Sequence, residues 1–273
     1  MIKKRRFNIQ ELRESDWGVF QDRIANLEKS TSYPLGDDRF EIDHGNDYFA
    51  FFTRLGKLYY YVVLEGEEVI AVAAAILRQI QPTGNEKSKR VWYLCDLKVR
   101  PESRGQHIPF KMFVSATPKH YLLCSRGYAI SMDTGVSRKN RVALMMTRFP
   151  LVPISTATKL GVISLDYERM KSVEPILRKY LGSVSYLSLE GKKDIILEST
   201  QSRMPLLHVQ FGHCAQQGYP EPIHGYTHMF CSPIDDPLLN ALSYQEIYPS
   251  ATATVIHHRM ENWDWRFILT SDI

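Results

Sequence analysis

Three consecutive strand-like segments in the middle of the chain constrain the fold more than any other feature. Residues 57–66 (KLYYYVVLEG) and 68–80 (EVIAVAAAILRQI) are rich in β-branched, aromatic and small apolar side chains, and a short turn around Gly66 separates them. Residues 90–101 (RVWYLCDLKVRP) form a third such segment after a polar connection. Since short connections join antiparallel neighbours, the three segments predict an antiparallel meander.

Helix and strand patterns alternate on both sides of this meander. Before it, we predict a strand at 7–12, a helix capped by Ser15 or Asp16, a connection at 30–45 and a short helix that Gly56 ends. After it, we predict a helix at 108–127 interrupted near Pro118, a strand at 127–135 and a helix that starts at Ser137. Further strands at 159–169 and 183–199 enclose another helix.

The composition is that of an ordinary soluble globular protein, with 44% hydrophobic and 23% charged residues. The longest apolar stretch, residues 69–77, is too short to cross a bilayer, and MIKKRRF lacks the apolar segment of a secretory signal. The net charge of +4 is too small to indicate nucleic-acid binding, and the four widely spaced cysteines do not suggest disulfides. We therefore expect a cytoplasmic protein without nucleic-acid or membrane partners.

The segment VRPESRGQHIPFKMF, residues 99–113, joins a predicted strand to a predicted helix. The first N–H groups of a helix have no helical partner and carry the positive end of the helix dipole, which suits an anion. Arg104 adds a positive charge nearby. His107 and Pro109, however, occupy positions where a phosphate-binding loop normally has small residues. Two alternatives remain: a phosphate site, or a plain strand-to-helix turn.

The pattern in this segment resembles the motif of the GNAT (GCN5-related N-acetyltransferase) superfamily, V-x-P-x-x-[RQ]-x-x-G-x-[GA]. Val99, Pro101, Arg104 and Gly105 match its common form VxPxxRG, and Asn140 and Ala143 match the N-x-x-A that opens a later helix of the family. The order of elements over residues 7–198 also agrees. The resemblance implies an α/β (α+β) fold with a mixed, mostly antiparallel sheet flanked by helices.

The resemblance implies that acetyl-CoA, or another acyl-CoA, is the cosubstrate of an N-acyltransferase and that no metal is needed. The pantetheine arm would run between the strand containing Leu97 and Val99 and the next strand, with the diphosphate at the loop. A strand N–H near Leu97 would stabilise the oxyanion. The cofactor-binding residues implied are Leu97, Lys98, Val99, Arg104, Gly105, Gln106, His107, Ile108 and Asn140.

The proton-transfer groups are less clearly indicated. The tyrosine that often protonates the thiolate in the family corresponds to Thr147, and Phe149 beyond it has no proton to donate. Tyr93 lies near the place where some members carry a glutamate base, and Asp96 is one of the nearest carboxylates. Tyr93 and Asp96 are therefore the candidate catalytic residues, with deprotonation through water as an equal alternative.

The last segment, residues 199–273, extends beyond a single GNAT-like domain at residues 1–198. We predict strands around 203–212, 225–233, 251–260 and 263–271, with a short helix after an Asp cap between them, as a C-terminal β-rich extension or partial second domain. His224, His228 and Cys231 have a spacing that suits part of a zinc site, but they lack the regular paired pattern of such sites, and no metal is expected.

Three functions stay open at this point. The first is N-acyltransfer, most simply of acetyl, to an unknown amine. The second is a catalytically degenerate module that binds an acyl-CoA or a protein. The third is transfer of a longer acyl chain, as in enzymes that make N-acyl amino acids or acyl-homoserine lactones, because the apolar face with Ile108, Phe110, Met112 and Phe113 could border an acyl tunnel.

Overall fold

A computed structural model describes residues 7–35, 37–81, 87–133, 140–149 and 152–273. The strands of the first half are β1 (Asn8–Leu12), β2 (Tyr33–Leu35), β3 (Asp38–Asp43), β4 (Lys57–Glu65), β5 (Glu68–Ile80), β6 (Lys89–Val99) and β7 (Gly127–Met132). Those of the second half are β8 (Ser155–Leu165), β9 (Val184–Ser188), β10 (Asp194–Leu197), β11 (Leu206–Phe211), β12 (Thr227–Pro233) and β13 (Ala251–His258). The α-helices are α1 (Trp17–Glu28), α2 (Ala50–Thr53), α3 (Ile108–Tyr121), α4 (Arg141–Thr147), α5 (Tyr167–Leu181) and α6 (Pro237–Ser243).

A ten-stranded sheet with the order β1-β4-β5-β6-β7-β13-β8-β12-β11-β9 forms the centre of the molecule. The predicted meander is confirmed, since β4, β5 and β6 are consecutive antiparallel neighbours. The strand β7 then pairs with β6 in parallel. The predicted fold class, a mixed and mostly antiparallel sheet flanked by helices, is confirmed.

The pairing pattern of this sheet is symmetric about its centre. On one side, β6 and β7 are parallel, α4 follows β7, and the chain continues into β8. On the other side, β11 and β12 are parallel, α6 follows β12, and the chain continues into β13. The strands β8 and β13, which end the two halves, pair with each other. In addition, β13 pairs with β7, and β8 pairs with β12. Each half therefore supplies a strand that lies next to the parallel pair of the other half.

The exchange of β8 and β13 between the halves affects the predicted domain boundary at residue 198. Residues 199–273 do contain three strands, β11, β12 and β13, but all three belong to the main sheet and none forms a sheet of its own. The strand β13 lies between β7 and β8. A cut at residue 198 would thus remove the central strand of the sheet, so the two segments are parts of one structural unit.

Helices cover both faces of the sheet. On one face, α1 and α2 bury Phe20, Ile24 and Phe52 against alternate side chains of the meander. On the opposite face, α3 buries Ile108 and Met112. In the second half, α5 and α6 form a further apolar cluster with β9, β11 and β12. The helices lie on the sheet because each presents one apolar stripe that water would otherwise solvate.

Some local predictions were wrong. Residues 30–45, predicted as a connection, include β2 and β3, which pair with each other and with β10 as a second, three-stranded sheet. Pro118 does not interrupt α3, which continues to Tyr121. Residues 263–271, predicted as a strand, contain 3₁₀ turns at Trp265–Phe267 and Thr270–Asp272. The helix start predicted at Ser137 lies outside the described residues.

Within the described ranges, none of the helices combines the length and the apolar character needed to cross a membrane.

Candidate functional site

The parallel strands β6 and β7 separate after only three paired positions. Trp92, Tyr93 and Leu94 pair with Gly127, Tyr128 and Ala129, whereas β6 continues to Val99 and β7 to Met132. Over residues 95–99 the edge of β6 that faces away from β5 has no strand paired to it among the described residues. The separation of these strands leaves a V-shaped opening with unpaired backbone along one side in the described part of the chain.

A β-bulge lies on β6 just beyond the vertex of this opening. The pairing with β5 passes from Cys95 opposite Ala74 to Lys98 opposite Val72, so two residues, Asp96 and Leu97, oppose one. Asp96 has a φ of 54°, in the left-handed region. A single extra residue reverses the side-chain alternation of a strand. Lys98 therefore points to the α1 face, and Val99 packs with α3.

The loop between β6 and α3 keeps the conformation of a glycine-containing phosphate loop without the expected glycine. His107, the residue before α3, has a φ of 57°, and Gly105 has a φ of 79°. A left-handed residue other than glycine costs about 1–2 kcal/mol, so the surrounding turn holds His107 in this conformation. The absence of glycine at position 107 therefore does not prevent formation of the turn.

Unpaired N–H groups converge at this loop. Within the described residues, the backbone N–H groups of Gly105, Gln106, His107 and Ile108 donate no hydrogen bond. Pro109 lacks an N–H, but it lies in the first turn, where that group would have no helical acceptor. The side chain of Arg104 is exposed and donates through Nε to the carbonyl oxygen of Val99, 3.2 Å away. The loop thus offers several N–H donors and one guanidinium to an anion.

Asn140 lies on the opposite side of the opening, after β7. Its Oδ1 accepts from the N–H of Ala143 at 3.0 Å and caps α4, which explains the N-x-x-A spacing in structural terms. Its Nδ2 donates to the Asp133 carboxylate at 2.9 Å and to the Ser131 carbonyl at 3.0 Å. The side chain therefore joins the start of α4 to the end of β7.

Replacement of Asn140 by alanine is expected to lower the free energy of unfolding by about 1–2 kcal/mol, because both the helix cap and the bond to buried Asp133 are lost. Urea denaturation measures this change. Asn26→Ala, at an exposed position inside α1, is the matched control and should not destabilise the protein. Equal stability of the Asn140 variant and the unmodified protein would contradict the assigned capping role.

The carboxylate of Asp96 belongs to a buried polar cluster on the α1 face. Its Oδ2 accepts from the Tyr60 hydroxyl at 2.5 Å and from the Tyr48 hydroxyl at 3.0 Å, and Lys98 donates to its Oδ1. Lys98 also forms an ion pair with Glu28, the last residue of α1. Asp96 is thus held by two hydroxyls and an ammonium group, and few of its lone pairs are left to accept a proton from a substrate.

Burial and neighbouring charges shift the pKa values of the ionisable groups in this cluster. Burial raises the pKa of Glu28, although the neighbouring Lys98 opposes the shift. Burial alone would lower the pKa of Lys98, but the adjacent carboxylates of Asp96 and Glu28 outweigh it and raise the pKa. Burial also raises the pKa of Tyr48, whose hydroxyl lies 3.0 Å from Glu28 Oε2. A proton retained by Glu28 would allow Tyr48 to donate to Asp96 without competition.

Tyr93, the other candidate catalytic residue, is buried in the core behind the vertex. Its ring stacks on Tyr128 with centroids 4.9 Å apart, and the Arg78 guanidinium lies 5.8 Å from its centroid. Burial raises the pKa of Tyr93 well above its ordinary value. Arg78 in turn donates to Tyr128 at 2.7 Å and to Asp272 at 2.8 Å. The geometry gives Tyr93 a packing role in this aromatic layer.

The position that the resemblance assigns to a tyrosine acid holds Thr147. The hydroxyl of Thr147 donates within its own helix to the carbonyl of Leu144. The Phe149 ring packs against Phe110 and Phe113 of α3, with centroid distances of 5.0 and 4.5 Å. Neither residue presents an acidic proton to the opening.

The second parallel pair, β11 and β12, also separates after three paired positions, and residues 268–272 pack against both strands there. Leu206, Leu207 and His208 pair with Thr227, His228 and Met229. Just past this vertex, Ser271 exchanges hydrogen bonds with the Gln210 side chain, and Cys231 Sγ donates to the Ile268 carbonyl. This buried segment therefore covers one face of the second opening.

The residues considered for zinc make other contacts. His228 Nε2 accepts from the N–H of Ile223 at 3.1 Å, and His224 lies beside the Tyr167 ring. Across the part of the chain that the structure describes, His, Cys, Asp and Glu side chains form no group of three or more that could hold a metal ion.

Several residues of the site were not predicted from the sequence. Glu28, Tyr48 and Tyr60 complete the cluster around Asp96 but come from three separate elements, and none belongs to a motif. Arg54 and Arg78 meet Asp272 from the far end of the chain. Of these contacts, the sequence indicates only that of Arg78, because an isolated charged residue within an apolar strand requires a partner.

Comparison with known proteins supports the fold. No protein-family model matches the sequence. The chain is 25% identical over 234 residues to uncharacterized protein L340 of Acanthamoeba polyphaga mimivirus, covering 84% of this chain and 68% of that protein. It is similar in structure to a tandem GNAT protein from the clavulanic acid biosynthesis pathway, with a TM-score of 0.54 and 10% identity over 92% of this chain and 98% of that one. It also matches Arabidopsis thaliana NAA60 in complex with acetyl-CoA, with a TM-score of 0.41 and 12% identity over 57% of this chain and 88% of that one.

The open parallel pair, the bulge beside it and the strand-to-helix loop belong to a mixed α/β fold. Together with the match that spans nearly the whole chain, they show that the chain has the GNAT fold. The resemblance inferred from VxPxxRG is confirmed at the level of the fold.

Proposed function

We propose that this protein is an acyl-CoA-dependent N-acyltransferase whose coenzyme lies in the opening between β6 and β7. The observation that carries the proposal is the combination of an unpaired strand edge with a loop of free N–H groups at its end. A pantetheine arm needs backbone partners along its length, and a diphosphate needs N–H donors and positive charge. The opening supplies both, because the unpaired edge of β6 leads directly into the loop with the N–H donors.

In this proposal, the backbone near Leu97 and Val99 pairs with the pantetheine arm, and the N–H groups of residues 105–108 with Arg104 hold the diphosphate. Gln106, His107 and Ile108 act through their backbone. Lys98 contributes only its backbone, because its side chain is committed to the buried cluster. Asn140 positions the far wall of the opening by joining α4 to β7.

Catalysis then consists mainly of positioning and oxyanion stabilisation. The neutral amine attacks the thioester carbon, and the N–H of Leu97, presented by the bulge, stabilises the oxyanion. Asp96 acts as a positioning residue, because its hydrogen bonds to Tyr48 and Tyr60 hold the bulge in place. Water carries the amine proton away, since the Asp96 carboxylate is occupied and Tyr93 is buried in the core.

The proposal assigns the coenzyme to the first half only. The second half follows the same plan of parallel pair, helix and exchanged strand, but its opening is covered on one face by residues 268–272, and the segment between β11 and β12 contains a short 3₁₀ helix in place of α3. The second half therefore serves to complete the sheet and to cover the α1 face with β10.

A second candidate is a module that binds acyl-CoA without transferring the acyl group. The observation in its favour is that Thr147, at the position that the resemblance assigns to a proton donor, donates its hydroxyl within α4, while Phe149 beyond it packs against Phe110 and Phe113. Release of free thiol from acetyl-CoA in the presence of a panel of primary amines separates the two candidates. Turnover with any amine supports transfer, and tight binding without turnover supports the binding module.

Acetyl-CoA is expected to stabilise the protein, because a ligand that binds only the folded state adds its binding free energy to stability. At a concentration 100 times Kd, the gain is about 2.7 kcal/mol. For a chain of this size we expect an increase in Tm of about 5–10 °C. Thermal denaturation with and without acetyl-CoA measures it, with AMP as the control ligand. No shift at millimolar acetyl-CoA, or at millimolar CoA with a longer acyl group, would contradict the proposed function.

A further inference from the structure

An apolar cavity of about 110 Å³ lies between α3, α4 and the sheet, next to the vertex where β6 and β7 separate. Leu94 and Ala129, the last paired residues of the two strands, line it. Away from the opening, its lining continues with Trp92 and Gly127 of the paired segments and with Ala116 and His120 of α3, while Met146 of α4 lies at its side. The atoms that face this space are almost all carbon.

The position of the cavity relative to the opening indicates which part of a bound coenzyme would enter it. A coenzyme whose diphosphate lies at residues 104–108 would run along β6 from Val99 back toward Leu94, so its thioester would approach the vertex. The cavity continues in the same direction beyond Leu94. An acyl chain attached to that thioester would therefore enter the cavity by passing from the opening onto the α3 face of the sheet.

Resting on the proposed function, we infer that the donor is an acyl-CoA whose acyl group is longer than acetyl, with its alkyl tail in this cavity. The size of the cavity sets the chain length. A dry apolar cavity of about 150 Å³ holds benzene, so this one has room for about four carbon atoms beyond the thioester region. The class of donor is therefore a butyryl- to hexanoyl-CoA.

The reaction balances without any further reagent. The amine nitrogen forms a bond to the acyl carbon, the carbon–sulfur bond breaks, the amine loses one proton, and the thiolate of CoA takes up one. The alkyl tail takes no part in these changes. The cavity contributes only by removing methylene groups from water, which is the basis of its selectivity.

Calorimetry with CoA, acetyl-CoA, butyryl-CoA, hexanoyl-CoA and dodecanoyl-CoA tests the inference. Each buried methylene is worth about a fourfold gain in affinity. We therefore expect butyryl-CoA to bind about tenfold more tightly than acetyl-CoA, hexanoyl-CoA more tightly still, and dodecanoyl-CoA no better than hexanoyl-CoA. Equal affinity for acetyl-CoA and butyryl-CoA would overturn the inference while leaving the proposed function in place. Absence of binding by every thioester and by CoA would overturn the proposed function itself.

A pair of variants on α3 assigns the selectivity to this cavity. Ala116→Leu places three additional carbon atoms in the cavity, whereas Ser115→Leu adds apolar volume at the preceding, exposed position. We expect the advantage of butyryl-CoA over acetyl-CoA to fall about tenfold in Ala116→Leu and to persist in Ser115→Leu. Ala129→Val narrows the cavity from the strand side and serves the same purpose if Ala116→Leu does not fold. Unchanged chain-length preference in a folded Ala116 or Ala129 variant would overturn the inference.

Discussion

Replacement of Lys98 by methionine is expected to lower the free energy of unfolding by about 3–5 kcal/mol, the cost of removing one member of a buried ion pair. Lys98 is the only ammonium group that contacts Asp96 and Glu28 among the described residues, and all three side chains are at least 95% buried. Without it, two carboxyl groups share a low-dielectric site with no compensating charge. Urea denaturation measures the loss. Arg100→Met breaks the exposed pair with Glu68 and should cost at most about 1 kcal/mol.

The destabilisation by Lys98→Met is also expected to depend on pH. Burial already raises the pKa of Glu28, and loss of the ammonium group raises it further. A carboxyl group whose folded pKa lies above its unfolded value stabilises the protein below the unfolded pKa, and this stability is lost as pH rises through the folded pKa. The variant should therefore be closer to the unmodified protein at pH 4 than at pH 8. A stability loss below 1 kcal/mol at pH 8 would contradict the assigned role of the cluster.

Arg104→Glu is expected to weaken acetyl-CoA binding about 10- to 100-fold. A charge-assisted contact to a phosphate is worth about 1.5–3 kcal/mol, and the glutamate places a negative charge beside the diphosphate. The fold should be unaffected, because Arg104 is exposed and its single hydrogen bond goes to the carbonyl of Val99. Calorimetry at fixed ionic strength measures the change, since salt screens exposed charges.

Two further variants make this result specific. Arg104→Lys keeps the charge but loses the planar fork of donors, so its loss of affinity should be smaller than that of Arg104→Glu. Arg169→Glu makes the same charge change at an exposed position on α5 in the second half, and should leave affinity unchanged. If Arg104→Glu binds acetyl-CoA as tightly as the Arg169 control, the segment VRPESRGQHIPFKMF is a strand-to-helix turn without a phosphate site.

The local parts of the candidate site were predictable because they depend on nearby residues. The apolar alternation of residues 57–80 determines two strands, and a turn that short can join them only as antiparallel neighbours. The strand-to-helix loop and its unpaired N–H groups likewise follow from where β6 ends and α3 begins. The capping role of Asn140 was not predicted, because the helix was expected to start at Ser137 and Asn140 was noted only for its match to N-x-x-A.

The direction of the side chains on β6 required the tertiary structure. Strand alternation alone would put Lys98 on the face of Trp92 and Leu94, toward α3. The bulge at Asp96 reverses the alternation, so Lys98 pairs with Glu28 of α1. The bulge is in turn held by Tyr48 and Tyr60, which lie more than 35 residues away along the chain. Contacts at that separation leave no local pattern in the sequence.

The sequence by itself determined the meander, the strand-to-helix loop and the Asp236 cap of α6, because each depends on residues that are close together in the chain. The predicted cap of α1 was wrong, since Asp16 makes no capping hydrogen bond through its side chain. Only the tertiary structure decided the exchange of β8 and β13 between the two halves, the packing of residues 268–272 over the second opening, and the apolar cavity at the vertex of the first. The physical reason is that a strand's edge hydrogen bonds are made by backbone groups common to all residues. The choice of partner is therefore set by how the helices and side chains of the whole molecule pack, which no short segment encodes.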